Sequence, residues 1–562
     1  MRSNEEIVRE RNLWLKNASA LALELEAMNA NEIEDAFYSD LSFGTGGLRG
    51  VLGAGTNRMN VYTVAKATQG LASHLKKTVQ SQDRTVAISY DSRINSDLFS
   101  RVASEVFAAN GFQVRLYPEL MPVPCLSFAV RHLSCCAGVM ITASHNPSKY
   151  NGYKVYGADG CQITTQAAKE ISEEISRVDT FAGVERLAFD QALAEGKIRY
   201  IASDTYDAFT HAVKDQSALF GDEIDRNVAI VYTPLNGAGL KPVTRVLRES
   251  GFKSITVVAE QEQPDGNFPT CPYPNPEIRE AMRLGLEYCR KANADLLIAT
   301  DPDCDRCGIA VKDDQGEYQL LSGNEVGLLL LDWICSQRLH HQKMPKNPVF
   351  VKTIVTTDLA EKIAASYGVE TVNVLTGFKF IGEIIGKLEQ ESRLDDYICG
   401  FEESYGYLTG TYVRDKDGVN ATLMIAEMFA FYKTRGVSLL QKLNELYGRY
   451  GYCLNTLHSY EFAGSAGMTR MKKIMAGFRN ETRSIGCYEI ADITDYSKGV
   501  GDLPKSDVIK FRLKNGSGFV ARPSGTEPKL KIYCSVLAGD SKESAAQEKE
   551  MIETLEEFIN RN

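Results

Sequence analysis

Three aspartates alternate along one short segment that follows an apolar run. The run DLLIAT leads into DPDCDR, which contains Asp301, Asp303 and Asp305. Carboxylates this close repel one another unless a cation lies between them. Because only oxygen ligands are offered, a hard divalent ion is favoured, and we expect Mg²⁺. The alternatives are a solvated acidic turn or an EF-hand, which fits poorly because its central glycine and final glutamate are missing.

Two neighbours of these aspartates also bear on the chemistry. Arg306 adds a fixed positive charge, which suits a phosphate group. Cys304 and Cys307 form a C-x-x-C pair, but carboxylates dominate the stretch and no second pair or suitable histidine stands nearby in the sequence. Since zinc would need such partners, we favour a magnesium site over a zinc or redox site.

A serine and a histidine, Ser144 and His145, stand side by side in ITASHNPSKYNGYKV. A serine hydroxyl is a poor nucleophile unless it is activated. Adjacent side chains often point apart and the sequence has no G-x-S-x-G elbow, so we do not expect a serine–histidine dyad. We expect instead that Ser144 lies beside the Mg²⁺ and carries a phosphoryl group, with Lys154 moving protons and His145 orienting the phosphate. The alternative is that Ser144 only caps a turn before Pro147.

Two loops have the composition of phosphate sites. The segment RPSGTEPKLK offers a guanidinium, hydroxyls, backbone N–H groups and an ammonium, which a dianionic phosphate needs. The residues concerned are Arg522, Ser524, Gly525, Thr526 and Lys531. A plain hairpin turn would also explain Pro523 and Gly525. The glycine-rich SFGTGGLRG carries Arg49 and lacks the G-K-[ST] ending of a P-loop, which excludes a Walker nucleotide site.

Two further segments are candidates for binding a sugar. FEESYGY presents Glu402 and Ser404, and a carboxylate and a hydroxyl two residues apart can hold sugar hydroxyls. Taken alone, an acidic turn at a strand end explains this segment equally well. LTGFKFIG places Lys379 between aromatic residues that packing accounts for, and the lysine is open to either interpretation.

The elements that must position these residues recur along the chain. TVAISY, VAIVYT and VFVKTIV each begin a pattern of strand, helix, glycine stop and second strand. The stops Gly111, Gly251 and Gly368 are more than one hundred residues apart, which indicates repeated α/β domains and not a short-period solenoid. Because ligands gather beyond the carboxyl ends of such strands, we expect the chemical loops to converge on one cleft.

The two ends of the chain differ from these repeats. The first 35 or so residues read as a helical extension that begins with a capping box at Ser3 and Glu6. The last part reads as strands with a turn at Asn515-Gly516 and a closing helix. We predict an α/β fold of three similar α/β domains with mixed, mostly parallel sheets, plus a C-terminal α+β domain, around a central cleft. The predicted domain limits are 1–205, 206–320, 321–450 and 451–562.

Composition excludes several classes of protein. The net charge of the 562 residues is −10, which argues against a broad nucleic-acid surface. The densest apolar stretch, VGLLLLDWIC, is too short to span a bilayer, and the N-terminus has no apolar signal core, so we expect a cytoplasmic protein without a membrane partner. With no export signal, the thirteen cysteines are expected to be reduced thiols.

Four motifs, in the order TASHNP, DPDCDR, FEES and RPSGTEP, resemble those of the α-D-phosphohexomutase superfamily, the phosphoglucomutases and phosphomannomutases. FGTGGLRG and FEESYGY look closest to the long phosphoglucomutase branch. Two positions depart from the family pattern. Cys304 stands where a glycine or alanine is common, and Phe401 stands where a glycine often occurs.

The resemblance implies a role for each motif. It implies a phosphorylated Ser144, one Mg²⁺ at the three aspartates, a general acid/base at Lys154 and an active-site arginine at Arg49. Sugar hydroxyls would meet Glu402 and Ser404. The substrate phosphate would meet the 522–526 loop.

The implied activity is phosphoglucomutase, which interconverts glucose 1-phosphate and glucose 6-phosphate through a phosphoserine and glucose 1,6-bisphosphate. A mannose or pentose phosphate mutase, a metal-dependent sugar phosphatase and a non-catalytic sugar-phosphate binder stay as alternatives. The expected partners are small sugar phosphates. The chain is expected to be a monomer or a dimer.

Overall fold

The structure is a computed structural model that describes residues 2–80, 84–462, 464–480, 484–485, 487–523 and 529–561. Its contacts group into two compact units, which are described separately. The first comprises 1–321, 381–397 and 405–434, and the second comprises 322–380, 398–404 and 435–562. The four predicted domain limits stay a prediction.

The chain begins with the predicted helical extension. Its helices are α1 (Asn4–Asn17), α2 (Ala22–Ala27) and α3 (Ala30–Phe37), with a 3₁₀ turn at Ser19–Leu21. The predicted capping box is confirmed, since Ser3 Oγ accepts from the Glu6 N–H and the Glu6 carboxylate accepts from the Ser3 N–H. Trp14 is fully buried and packs edge-on against Phe37. This contact belongs to a small hydrophobic core that joins the three helices of the extension.

The first sheet is mixed, in the strand order β1-β5-β4-β2-β3-β6. Strand β2 pairs in parallel with β3 and β4, whereas β5 runs antiparallel to β4 and β1. The elements are β1 (Leu48–Val51), α4 (Val61–Thr78), β2 (Thr85–Tyr90), α5 (Ser96–Ala109), β3 (Gln113–Leu116), α6 (Val123–His132), β4 (Ala137–Ile141), β5 (Tyr150–Gly157), α7 (Thr165–Ser176), α8 (Phe189–Ala194), β6 (Ile198–Tyr200) and α9 (Ser203–Lys214). Strand β4 is buried along its whole length, as its unbroken apolar sequence requires.

The second sheet repeats this plan, in the order β11-β10-β9-β7-β8. Strand β7 pairs in parallel with β8 and β9, and β10 returns antiparallel beside β9. The elements are β7 (Ile230–Thr233), α10 (Leu240–Glu249), β8 (Ile255–Val257), α11 (Ala259–Glu262), α12 (Arg279–Ala292), β9 (Leu296–Thr300), β10 (Cys307–Lys312) and β11 (Tyr318–Leu321). Each antiparallel return leaves a tight loop at a strand end, and both loops that carry the predicted chemistry of the first unit arise in this way.

The third repeat contains strand β12 between β13 and β14, with β12 and β13 parallel. The elements are α13 (Gly323–His340), β12 (Val349–Thr353), α14 (Leu359–Ser366), β13 (Glu370–Val374), α15 (Phe378–Gln390), a 3₁₀ turn (Leu394–Asp396), β14 (Tyr397–Glu402), β15 (Gly406–Leu408), α16 (Gly418–Thr434) and α17 (Leu439–Tyr450). The Phe401 side chain lies over Gly327 of α13, where an added Cβ would come within 2.3 Å of the ring. Phenylalanine at position 401, where the family often has glycine, is therefore accommodated by a glycine in the facing helix.

The C-terminal part is an antiparallel sheet in the order β16-β21-β20-β19-β18-β17, with apolar side chains packed under helices. The elements are β16 (Tyr452–Glu461), α18 (Gly464–Asn480), β17 (Ser484–Ile485), β18 (Tyr488–Asp495), a 3₁₀ turn (Tyr496–Lys498), β19 (Ile509–Leu513), β20 (Gly518–Pro523), β21 (Lys529–Ala538) and α19 (Ser541–Arg561). The α+β prediction for this part is confirmed, and so is the fold class of α/β repeats with mixed sheets. Across the described part of the chain, no helix combines the length and apolarity needed to cross a bilayer.

Candidate active site

Ser144 lies in the loop that joins β4 to β5. Its backbone is left-handed, with φ of 52°, which is uncommon for a residue other than glycine. The Ser144 N–H donates to Thr142 Oγ1 at 2.8 Å, and the side chain is buried, with the residue 4% exposed. Its hydroxyl donates to Asp301 Oδ2 at 2.9 Å. The loop therefore directs the predicted phosphoryl carrier at the predicted metal ligands.

The three aspartates follow β9 in a turn that leads directly into β10. Their nearest carboxylate oxygens all lie within 4.8 Å of one another, and all three residues are buried. Asp301 shapes the turn, because its Oδ1 accepts the N–H groups of Asp305 at 3.1 Å and Arg306 at 3.0 Å. Other elements also hold the turn, since the N–H groups of Val123, Ala238 and Gly418 donate to carbonyl oxygens within it.

The electrostatics of this cluster fit a cation. Burial, and then the charge of Asp303, raises the pKa of Asp301 well above its usual range and also raises the pKa of Asp305. Burial acts in the same direction on Asp303, but Lys154 outweighs it and lowers the pKa of that carboxyl. Asp303 Oδ1 is buried and has no hydrogen-bond partner among the described residues. Three converging carboxylates and a hydroxyl form an oxygen-only ligand set suited to a hard divalent ion.

Two lysines face the aspartates. Lys154 Nζ on β5 lies 2.9 Å from Asp303 Oδ2 and 3.7 Å from Asp305 Oδ2. Lys416 Nζ lies 2.7 Å from Asp305 Oδ2. We did not predict Lys416 from the sequence. Its only signal was the charged run RDKDG just before helix α16.

His145 contacts the serine beside it. Its Nδ1 lies 3.2 Å from Ser144 Oγ, so the expectation that the two side chains point apart is wrong. The positive φ of Ser144 takes the chain out of the extended form in which neighbouring side chains alternate. Burial, and then the charge of Arg306, lowers the pKa of His145 well below its usual value. The imidazole is therefore neutral at pH 7.

Two arginines complete the predicted set in the first unit. Arg49 Nη1 on β1 lies 3.4 Å from Asn146 Oδ1, and its residue is exposed. Gly47 lets the chain before β1 pass close to β5, since it has φ of 77° and an added Cβ would lie 1.9 Å from the Tyr153 carbonyl oxygen. Arg306 makes an ion pair with Glu277. The structure thus brings Ser144, Lys154 and Arg306 to the three aspartates, and it brings His145 and Arg49 to the loop that carries Ser144.

The other predicted residues belong to the second unit. Glu402 is buried at the end of β14, with Ser404 just beyond it, and Lys379 Nζ lies 5.2 Å from the centre of the Phe380 ring. Arg522 lies on β20. Burial, and then the charge of Glu403, raises the pKa of Tyr533 to about 12, although Arg522 opposes the rise. Ser524, Gly525 and Thr526 lie outside the described residues.

Four family models, all described as phosphoglucomutase/phosphomannomutase, match this chain. The model of the family's α/β/α domain I matches residues 40–181, and that of domain II matches residues 207–316. The model of domain III matches residues 322–450, and that of the C-terminal domain matches residues 476–555. This chain belongs to the phosphoglucomutase/phosphomannomutase family. The predicted resemblance is confirmed, and the chain is an enzyme of the phosphotransferase and isomerase kind.

Relatives of this family member cover almost all of its length. The phosphoglucomutase of Staphylococcus saprophyticus is 37% identical over 541 residues, which cover 93% of this chain and 96% of the relative. The phosphoglucomutase of Staphylococcus aureus strain MRSA252 is 35% identical, and the match covers 97% of this chain and 98% of the relative. These matches support the phosphoglucomutase branch of the family, as predicted.

Solved structures share its fold. Parafusin, a phosphoglucomutase from Paramecium in an open form, has a TM-score of 0.70 at 19% identity and covers 93% of this chain and 96% of its own. A phosphoglucomutase/phosphomannomutase family protein from Burkholderia thailandensis has a TM-score of 0.69 at 18% identity. The match covers 92% of this chain and 98% of the Burkholderia chain. At such identities the likeness concerns the fold alone.

Proposed function

We propose that this enzyme interconverts glucose 1-phosphate and glucose 6-phosphate through a phosphorylated Ser144 and a glucose 1,6-bisphosphate intermediate. The observation that carries the proposal is the 2.9 Å contact between Ser144 Oγ and Asp301, inside a buried carboxylate cluster. Relatives named phosphoglucomutase, at 35% and 37% identity over nearly the whole chain, support the choice of glucose.

One magnesium ion per chain would be held by Asp301, Asp303 and Asp305 with Ser144. When bound, it would neutralise charge on the oxygens of the transferred phosphoryl group. The fit rests on the ligand set and on the unpartnered Asp303 Oδ1, judged over the described residues.

The first half-reaction transfers the phosphoryl group from Ser144 to the free hydroxyl of the sugar phosphate. The bond between Ser144 Oγ and phosphorus breaks, a bond from the sugar oxygen to phosphorus forms, and the proton that leaves the sugar hydroxyl is balanced by a proton that the freed Ser144 oxygen takes up. We assign this exchange of protons to Lys154 and Lys416, whose Nζ atoms lie 2.9 Å and 2.7 Å from aspartate oxygens of the cluster. The neutral His145 beside Ser144 Oγ would donate a hydrogen bond to the phosphoryl oxygens.

The second half-reaction returns the other phosphate of the bisphosphate to Ser144. This requires the sugar to turn around, so one phosphate site must accept either end of it. We assign that site to Arg522, Ser524, Gly525 and Thr526. Glu402 and Ser404 would bind the sugar hydroxyls, and Arg49, Arg306 and Lys379 would complete the charge around the phosphates.

The test is a substrate panel. We expect kcat/KM for glucose 1-phosphate to exceed the values for mannose 1-phosphate and ribose 1-phosphate, with glucose 1,6-bisphosphate as activator. A clear preference for mannose or ribose would move the enzyme to the alternative mutase class. Release of inorganic phosphate at the rate of substrate loss would make it a phosphatase. We propose a cytoplasmic enzyme that works as a monomer or a dimer on small sugar phosphates.

A further inference from the structure

Arg93 is a buried arginine that none of the predicted motifs includes. It lies just after β2, and its side chain is 0% exposed. Its Nη2 donates to the carbonyl oxygens of Ser144 and Asn146, and its Nη1 donates to those of Pro147 and Tyr150, each at 3.0 Å. One guanidinium therefore gathers four carbonyl groups of the loop that carries the candidate phosphoserine.

Asp91 links this guanidinium to the other side of the same loop. Its Oδ2 lies 3.5 Å from Arg93 Nε and accepts from Thr142 Oγ1 at 2.6 Å. Thr142 Oγ1 in turn accepts the Ser144 N–H at 2.8 Å. The peptide groups on both sides of the Ser144 Cα are thus held, the N–H through Thr142 and Asp91 and the carbonyl by Arg93 directly.

The chain between α11 and α12, which contains Gly266 and Phe268, covers Arg93. The centre of the Phe268 ring lies 5.1 Å from Arg93 Cζ. Gly266 lets this segment approach closely, because an added Cβ would lie 2.4 Å from the Ile94 nitrogen. Phe268 therefore helps to exclude water from hydrogen bonds that would weaken if they were exposed.

We propose that Arg93 is a positioning residue. Together with Asp91 and Phe268, it holds the loop in the left-handed form that directs Ser144 Oγ at Asp301. The planar fork of arginine donors suits four carbonyl oxygens in different directions, whereas the ammonium of a lysine is a compact charge that reaches fewer of them. Among the described residues, the hydrogen bonds of the Arg93 side chain go to carbonyl oxygens within residues 144–150 and its ion pair goes to Asp91, so its effect on the reaction passes through the loop.

Hydrogen exchange tests the proposal without relying on the proposed function. We expect Arg93→Lys to speed amide exchange at least tenfold within residues 142–151. The matched control is Arg101→Lys, because Arg101 also lies 5.1 Å from an aromatic ring, that of Phe189, but is exposed on helix α5. Unchanged exchange in 142–151 of Arg93→Lys would overturn the proposal.

Kinetics give the second readout, and this part rests on the proposed function. A loop displaced by about 1 Å is expected to lower kcat about 100-fold, with KM for glucose 1-phosphate changed less than threefold in Arg93→Ala. Guanidinium ion, well below denaturing concentrations, should restore kcat at least tenfold by entering the vacated space, and Arg101→Ala should behave as wild type. If Arg93→Ala does not fold, Arg93→Lys carries the test with the same expected direction.

The two readouts separate two kinds of failure. A wild-type enzyme without mutase activity on any sugar phosphate would end the proposed function, while the exchange experiment would still decide the role of Arg93. A wild-type kcat in Arg93→Lys, or a lowered kcat without faster exchange in the loop, would overturn the positioning role.

Discussion

Ser144 Oγ donates a 2.9 Å hydrogen bond to Asp301 Oδ2, although the two residues are 157 positions apart and follow strands of different sheets. Each residue lies in the loop after a buried strand, where the chain turns back antiparallel, β4 into β5 and β9 into β10. The contact is therefore made by two short loops on firmly packed strands. Such support keeps a reacting hydroxyl in place with little freedom to move.

Replacing the candidate phosphoserine should abolish turnover. We expect Ser144→Ala to lose mutase activity and to lack the mass increase of about 80 Da that a phosphate gives after incubation with glucose 1,6-bisphosphate. The measurements are a coupled assay and intact mass spectrometry. Ser134→Ala is the matched control, since Ser134 has the same φ of 52° but is exposed. Near-normal turnover in Ser144→Ala would remove Ser144 from the reaction.

Removal of the metal should silence the enzyme reversibly. We expect excess chelator to stop turnover and added Mg²⁺ to restore it. Binding also stabilises the native state, by about 2.7 kcal/mol at a concentration 100 times Kd. Thermal melting should therefore rise with Mg²⁺ in the wild type and in the exposed control Asp314→Asn, but not in Asp303→Asn. Full activity in excess chelator would contradict the metal role.

The contact between Gly327 and Phe401 should limit stability. Because a Cβ at Gly327 would lie 2.3 Å from the Phe401 ring, Gly327→Ala is expected to cost about 1–3 kcal/mol through overpacking. The melting temperature should fall by several degrees, and Phe401→Leu in the same chain should recover part of the loss. Gly448→Ala in α17 is the control, since nothing lies within 4 Å of its added Cβ. Equal melting temperatures for Gly327→Ala and Gly448→Ala would show that the ring moves aside freely.

Glu427 should make stability depend on pH. Burial raises its pKa from 4.5 to about 7, although a hydrogen bond from Ser217 opposes the rise. Below pH 4.5 the carboxyl is protonated in both the folded and the unfolded states. As pH rises toward 7 only the unfolded state ionises, so stability falls, by about 3 kcal/mol in total.

The change that tests this is Glu427→Gln, which stays neutral at every pH. Its melting temperature relative to the wild type should rise between pH 4.5 and 7 and then level off. Glu280→Gln is the control, because the Glu280 side chain is 67% exposed. A constant difference between Glu427→Gln and the wild type across this range would show that Glu427 does not titrate as described.

Several local features were predictable from the sequence. Helix α5 is followed by the predicted glycine stop, since Gly111 has the positive φ that ends a helix. The closeness of the aspartates of DPDCDR follows in part from local spacing, because they share one turn in which the Asp301 carboxylate accepts the N–H groups of Asp305 and Arg306. The contact of His145 with Ser144 was not predictable, because it depends on the left-handed backbone of Ser144, which the residue types do not indicate.

The sequence by itself determined the repeated α/β elements, the oxygen-rich turn and the family, since these depend on local periodicity and on short contiguous motifs. Only the tertiary structure decided that Ser144 meets Asp301, that Lys416 faces Asp305 and that Arg93 holds the serine loop. The physical reason is that these pairings join residues between 51 and 157 positions apart. Such contacts depend on how the sheets pack, and a local pattern of residues does not determine that packing.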